Sequence, residues 1–219
     1  MPSQTVYIVD DDEAVRDSLV MLLTSMGMAA VPFESAEAFL ESAQKSPDQL
    51  SGCCVLDVRM PGMSGIEIQN QLGRMGINLP CIMVSGFGDV ASTVDSFKAG
   101  AVDFLEKPFN EQQLLDRVQA ALIWDAEQRA YSEKLAEISM RYNRLTPRER
   151  QVMELVVEGK LNKQIAADLG LSHKTIEVHR AHVMDKMQAD SLAHLVRMAM
   201  MLKQKEYRVY HPPSRPRLN

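Results

Sequence analysis

Long apolar runs are absent from this sequence. None approaches the roughly 18 residues that a membrane-crossing helix needs. The N-terminus passes straight into a strand-like segment, with no basic stretch leading an apolar one. The expectation is a soluble, cytoplasmic protein with no cleavable export signal. Cysteine is scarce: Cys53, Cys54 and Cys81 lie in apolar runs, with neither metal-ligand spacing nor an even-numbered framework. That excludes a disulfide scaffold and reads as three buried, reduced core residues of a cytosolic protein. Glycine and proline are missing altogether from 120–144. What remains is ordinary for a globular chain, with 46% hydrophobic and 24% charged residues in a length of 219, enough for two modest domains or one large one.

Charge is divided unevenly. Residues 1–145 carry 11 Lys and Arg against 21 Asp and Glu, whereas 146–219 carry 13 against 8. This asymmetry suggests an acidic module joined to one able to approach a polyanion, although charge alone leaves chance open.

The first 120 residues alternate short apolar runs with amphipathic segments. Strands are expected at Thr5–Val9, Ala30–Phe33, Cys53–Leu56, Cys81–Val84 and Val102–Leu105, short and apolar as strands buried on both faces should be. Helical spacing joins Val15, Leu19, Leu22 and Leu23, and less perfectly Ile66, Ile68 and Leu72. It recurs at Val90, Val94 and Phe97, then at Leu114, Leu115, Val118 and Leu122. Five strands alternating with helices imply a doubly wound, five-stranded parallel sheet over 1–120. Residues 121–144 read as a long helical linker continuing the last of these helices, with a frayed polar connector as the alternative. From Leu145 to Tyr207 the pattern is all helix. Thr146-Pro147-Arg148-Glu149 forms a capping box with proline at the first helical position, Gly159 and Gly170 stop the first two helices, and Ser172 and Ser191 start the next two. The tail, 208–219, is rich in proline and is expected to be disordered.

Chemistry converges at one end of the sheet, where open parallel sheets bind ligands. Strand one runs into Asp10-Asp11-Asp12, strand three into Asp57, strand four into Ser85, and strand five is followed by Lys107-Pro108. Carboxylates gathered on adjacent strand ends repel unless a hard cation or a lysine offsets them. Mg²⁺ held by carboxylates, a carbonyl and water, with Lys107 as a fixed positive charge, would prepare Asp57 to accept a phosphoryl group. Ser85 would then hydrogen-bond the phosphate.

These residues carry a resemblance. Val9-Asp10-Asp11-Asp12, Leu56-Asp57 through Gly65, and Lys98 through Phe109 resemble the receiver signatures of two-component systems. Leu145 through Arg150, Asn162 through Ala166 and Thr175 through Arg180 resemble the LuxR-type helix-turn-helix. Together they are similar to the NarL/FixJ family of response regulators, FixJ-like branch, over about residues 4–203. The resemblance implies a flavodoxin-like receiver joined to a four-helix DNA-binding domain, in a transcription factor rather than an enzyme. It makes Asp57 the phosphoacceptor, and Asp11, Asp57 and the backbone carbonyl of Arg59 the Mg²⁺ ligands, with Asp10 acting through water. Lys107 contacts the phosphate, and Ser85 and Phe104 form the switch pair where relatives often carry Thr and Tyr. The implied partners are a sensor histidine kinase, promoter DNA, RNA polymerase and, on phosphorylation, a second copy of the chain. Val90, Val94, Lys98 and Asp103 are expected near the receiver contact, and Ser191–Leu202 at a second one.

In the C-terminal domain the third helix has Ile176, Val183 and Met187 facing inward. Lys174 and Thr175 lie among its outward residues. Lys174, Arg180 and Lys186, with Lys160 and Lys163 nearby, can neutralise phosphates. Glu177, Val178 and Ala181 occupy positions that meet base edges in relatives, where a carboxylate can accept from cytosine and Val or Ala can touch a thymine methyl. Ala181 departs from relatives with Lys there. His173, His179, His182 and His194 lack the Cys or carboxylate set of a metal site. Two rivals stay open: an aspartate-based phosphatase using Asp57 as nucleophile, and a DNA-binding adaptor indifferent to phosphorylation.

Overall fold

The computed structural model describes residues 4–47, 50–86 and 103–210, with side chains as far as Gln204. The first strands and helices are β1 (Thr5–Val9), α1 (Glu13–Ser25), β2 (Ala29–Phe33), α2 (Ala36–Lys45), β3 (Gly52–Asp57) and α3 (Gly65–Arg74). They are followed by β4 (Cys81–Ser85), β5 (Asp103–Glu106) and α4 (Glu111–Asn143). All strand pairings are parallel, and the order is β2-β1-β3-β4-β5. This is the flavodoxin-like winding, whose direction reverses between β1 and β3.

Period-two alternation divides each strand between two cores. Cys54, Leu56, Cys81 and Met83 pack with α2 and α3 on one face. Cys53, Val55, Ile82, Val84 and Leu105 pack with α1 and α4 on the other. The three cysteines are buried and not joined in disulfides, and burial pushes the Cys53 thiol well above its ordinary range, so it is inert. The helix α2 was not among the expected elements. Its buried face is Ala36, Phe39, Leu40 and Ala43, and Ser35 caps its start. The helix expected around Val90, Val94 and Phe97 lies outside the described residues, as does the tail from 211 onward.

A second unit begins at Ala130. It holds the C-terminal end of α4, then α5 (Pro147–Val157), α6 (Asn162–Leu169), α7 (His173–Met187) and α8 (Leu192–Tyr210). Thr146 and Glu149 make the expected reciprocal cap. Gly170 ends α6 at φ 65°, a left-handed turn that glycine enters without steric cost. The core joins Val152, Met153, Ile165, Ile176, Val183 and Leu195, with Ile138 and Leu145 from before α5.

The stretch expected as a linker is helical, but its beginning belongs to the N-terminal unit. Ala121 is fully buried and Asp125 is 1% exposed. An Asp125 oxygen accepts from the backbone N of Gly52 and from Arg129 Nε, both at 2.8 Å, and Arg129 also donates to the carbonyl of Leu50. Gln4 donates to the carbonyl of Leu122 at 2.6 Å. These bonds tie α4 to the start of β3, at the opposite end of that strand from Asp57. Asp125→Ala leaves the Gly52 N–H and the Arg129 guanidinium without this acceptor. We expect a loss of about 2 kcal/mol in urea unfolding of the N-terminal unit. An unchanged midpoint would refute the anchoring.

Candidate functional site

The site lies at the carboxyl ends of β1, β3 and β4, beside the β1/β3 reversal. The three aspartates that follow β1 take three different positions. Asp10 is 4% exposed, with Oδ1 accepting from the backbone N of Asp12 at 2.9 Å. Asp12 turns outward to cap α1 through Ala14 N and Val15 N. Asp11 is exposed and makes no hydrogen bond or ion pair among the described residues. Thus Asp10, rather than Asp11, is held against the rest of the site.

Asp57 ends β3 and is 7% exposed. Its Oδ2 accepts from Arg59 N at 3.1 Å, and its Oδ1 accepts from Lys107 Nζ at 3.1 Å. The same Nζ lies 2.8 Å from Asp10 Oδ2, so one lysine bridges two carboxylates. Lys107 is brought there by its backbone N, which donates to the Ser85 carbonyl at 2.7 Å. Burial raises the Asp57 carboxyl above its ordinary value, and the bonds from Lys107 offset only part of that. Burial lowers the Lys107 ammonium, but its bonds to Asp10 and Asp57 more than compensate, so it too is raised. The lysine is therefore cationic at neutral pH.

Ser85 is fully buried at the end of β4. Phe104, half-buried on β5, packs with the α2/α3 core. Register pairs Met83 with Phe104 and Ser85 with Glu106, which puts Ser85 and Phe104 on one face of the sheet. Behind Asp57 the chain returns closely: a Cβ on Gly65 would lie 2.4 Å from the Asp57 carbonyl oxygen. Only glycine lets α3 start there.

The oxygens gathered here suit a small hard cation. With one lysine between them, Asp10 and Asp57 keep a net negative charge. Among the described residues no three His, Cys, Asp or Glu side chains cluster tightly enough to enclose a metal. Mg²⁺ does not require such a cage, since it keeps several waters and takes one or two carboxylates. The donor set fits that ion.

On α7, Lys174, Glu177, Val178 and Ala181 are exposed at i, i+3, i+4 and i+7, one face of the helix. Ile176, Val183 and Met187 are buried on the other side. Thr175 is half-buried, its hydroxyl 2.8 Å from Ser172 Oγ, and Lys163 is exposed on α6. Three of the expected phosphate contacts are engaged within the unit, Lys160 among them through Asp168 at 2.8 Å. Lys186 Nζ bonds both oxygens of Glu149 at 2.9 and 2.7 Å, and Arg180 Nη1 bonds Asn162 Oδ1 at 3.0 Å. Sequence pattern could not supply these pairings, because each is made through polar atoms that periodicity does not mark. Asp185 was also overlooked. It is exposed, four residues beyond Ala181 on the same helix face.

Glu149 is 3% exposed. Burial pushes its carboxyl up, but Lys186 and the Thr146 cap overcome this and hold it at about 2, against an ordinary 4.5. His182 Nδ1 also faces it, at 3.6 Å. A depressed carboxyl stabilises the fold fully above about pH 4.5, and that contribution is lost as pH falls toward 2. Lys186→Met should cost roughly 2 kcal/mol, because Lys186 is one-third exposed. It should also move acid unfolding of the C-terminal unit to higher pH. A substitution that altered DNA binding alone would return Lys186 to the phosphate contacts.

Two family models match the chain. The response regulator receiver domain covers residues 6–119 and the luxR family of bacterial regulatory proteins covers 143–199. The transcriptional regulatory protein FixJ of Rhizobium meliloti is 48% identical over 200 residues, 91% of this chain and 97% of that one. Nodulation protein W of Bradyrhizobium diazoefficiens is 46% identical over 197 residues, 90% and 86% of the two chains. Among solved structures, the response regulator StyR aligns at a TM-score of 0.79 and 44% identity over 90% of this chain and 98% of its own. Full-length FixJ from B. japonicum aligns at 0.57 and 43% identity over 93% and 99%. A receiver followed by a LuxR-type DNA-binding domain defines the class, a response regulator of two-component systems. Within that class the chain belongs to the NarL/FixJ family, on its FixJ-like branch.

Proposed function

We propose that Asp57 accepts a phosphoryl group from a sensor histidine kinase in the cytoplasm, and that this favours a dimer that binds promoter DNA and addresses RNA polymerase. The observation that carries the reading is Lys107 Nζ bridging Asp10 and Asp57 at the strand ends. In the transfer, an Asp57 oxygen forms the new P–O bond as the P–N bond to the kinase histidine breaks. Lys107 would accompany the charge on the phosphoryl oxygens, and Ser85 would hydrogen-bond one of them. Phe104 would follow Ser85 as the second half of the switch. Asp11, Asp57 and the Arg59 carbonyl, with Asp10 through water, would hold Mg²⁺, which when bound supplies positive charge to those same oxygens. Apart from its own phosphorylation and dephosphorylation, the chain acts as a transcription factor.

In the second unit, Lys163, Lys174 and Arg180 meet phosphates, with Lys186 a weaker candidate because Glu149 holds it. Thr175, Glu177, Val178 and Ala181 face the bases. The dimer reading draws on α8, where Leu192 and Met200 are 42% and 55% exposed. Of the residues expected at a receiver contact, Val90, Val94 and Lys98 lie outside the described residues. Asp103 is 6% exposed and ion-paired to Arg117 of its own chain.

The test is sedimentation and DNA binding of the whole chain with and without a small acyl phosphate. Phosphorylation should shift monomer to dimer and tighten promoter binding by about 5- to 150-fold, with no response from Asp57→Ala. Equal binding by Asp57→Ala under phosphorylating conditions would favour the phosphorylation-independent adaptor. Repeated turnover of a phosphate ester would favour the phosphatase.

A further inference from the structure

Of the basic residues expected to meet DNA phosphates, three have partners within the second unit, and the partners differ in kind. Lys160 is paired with the carboxylate of Asp168 at 2.8 Å, and Lys186 with that of Glu149. A carboxylate partner cancels the charge that a phosphate would use. Arg180 instead donates from Nη1 to Asn162 Oδ1 at 3.0 Å. An amide is neutral, so the guanidinium keeps its full charge and gains only a direction.

The geometry suits that role. Asn162 is the first residue of α6 and Arg180 lies on the flank of α7, so the bond joins the two helices of the helix-turn-helix. Arg180 is half-buried. A guanidinium has five N–H donors in a rigid fork, so holding one leaves the others for a phosphate. Nor does α6 depend on the Asn162 side chain for its cap, because Gln164 Oε1 takes the Leu161 N–H at 2.8 Å.

We infer that Asn162 is a positioning residue that fixes the Arg180 guanidinium for a DNA phosphate without neutralising it. This rests on the proposed reading of Arg180 as a phosphate contact. Holding a long side chain in its binding rotamer beforehand removes an ordering cost that binding would otherwise meet.

The experiment measures affinity of the full chain for a mixed-sequence DNA duplex across a salt series, with thermal melts of each variant as a control. Arg180→Ala should weaken binding and lower the salt slope by about one. Asn162→Ala should weaken binding by about three- to tenfold while keeping the wild-type slope, because the charge is still present. Asn162→Asp keeps the acceptor but cancels the charge, and should lower the slope as Arg180→Ala does. In an Arg180→Ala background, Asn162→Ala should have no further effect. If Arg180→Ala weakens binding but Asn162→Ala matches wild type, or if Asn162→Ala acts equally in both backgrounds, the positioning role is wrong and the Arg180 contact stands. If Arg180→Ala leaves affinity and slope unchanged, the contact itself is wrong.

Discussion

Incubated with a small acyl phosphate and Mg²⁺, the wild-type chain should gain one phosphoryl group and the Asp57→Asn protein none. The amide is nearly the same shape as the carboxylate but has no anionic oxygen to form the bond to phosphorus. Its loss should therefore be total for labelling and small for folding. Burial already raises the Asp57 carboxyl, and an acid raised in the folded state makes the fold less stable above that acid's unfolded pKa. Asn removes this cost, so Asp57→Asn should melt at or above the wild-type temperature near neutral pH. Lys107→Ala separates the electrostatic part. It leaves Asp10 and Asp57 facing each other without their shared cation, and labelling should slow by about a hundredfold or more, the effect of losing one preorganised charge-stabilising group. Equal labelling of Asp57→Asn would move the phosphoacceptor elsewhere, and fast labelling of Lys107→Ala would remove the lysine from the chemistry.

Much of this geometry was legible because the strand ends are marked in the chain itself. Thr5–Val9 is a strand within the expected bounds, and each following polar residue falls where the sheet places its ligands. Asp10, Asp57 and Lys107 meet although 97 positions separate the first from the last. What could not be read was which of three consecutive aspartates turns inward. Asp10 and Asp12 differ in fate because α1 begins at Glu13 and needs a cap, a matter of one residue in a helix boundary. The helix α2 escaped because two of its four buried residues are alanines, a weak apolar signal. The packing of Asp125 and Arg129 against the start of β3 escaped for a different reason. Asp125 and Arg129 look like surface charges in an amphipathic stretch, and only the fold brings the unpaired Gly52 N–H and Leu50 carbonyl beside them. Polar pairs between distant elements, including Glu149 with Lys186, have no periodicity to betray them. In the DNA-binding unit, helix bounds and the Gly170 turn were readable from caps and stops, whereas the partners of its cations were not.

Those partners sharpen what the outward face of α7 should do. Lys174, Glu177, Val178 and Ala181 share the exposed face, and among the described residues only the Glu177 carboxylate in this set faces a potential ion-pair partner, His173 Nδ1 at 3.4 Å. Both of those side chains are more than half exposed, so the pair is worth little and DNA can displace it. Lys174→Ala should weaken all duplexes about equally and lower the salt slope by about one, since a phosphate contact carries no sequence information. Glu177→Ala should instead change preference at one position in each half-site by about 1–3 kcal/mol, up to about a hundredfold in relative affinity. Removing an acid near the phosphates should also raise non-specific affinity slightly, so total binding can rise while discrimination falls. That opposed movement separates reading from positioning. If Glu177→Ala preserves the preference and Lys174→Ala alters it, the two roles are exchanged. If neither alters DNA binding, α7 is not the element that enters the groove. Neither substitution should change phosphoryl labelling, because Asp57 and Lys107 belong to the other unit.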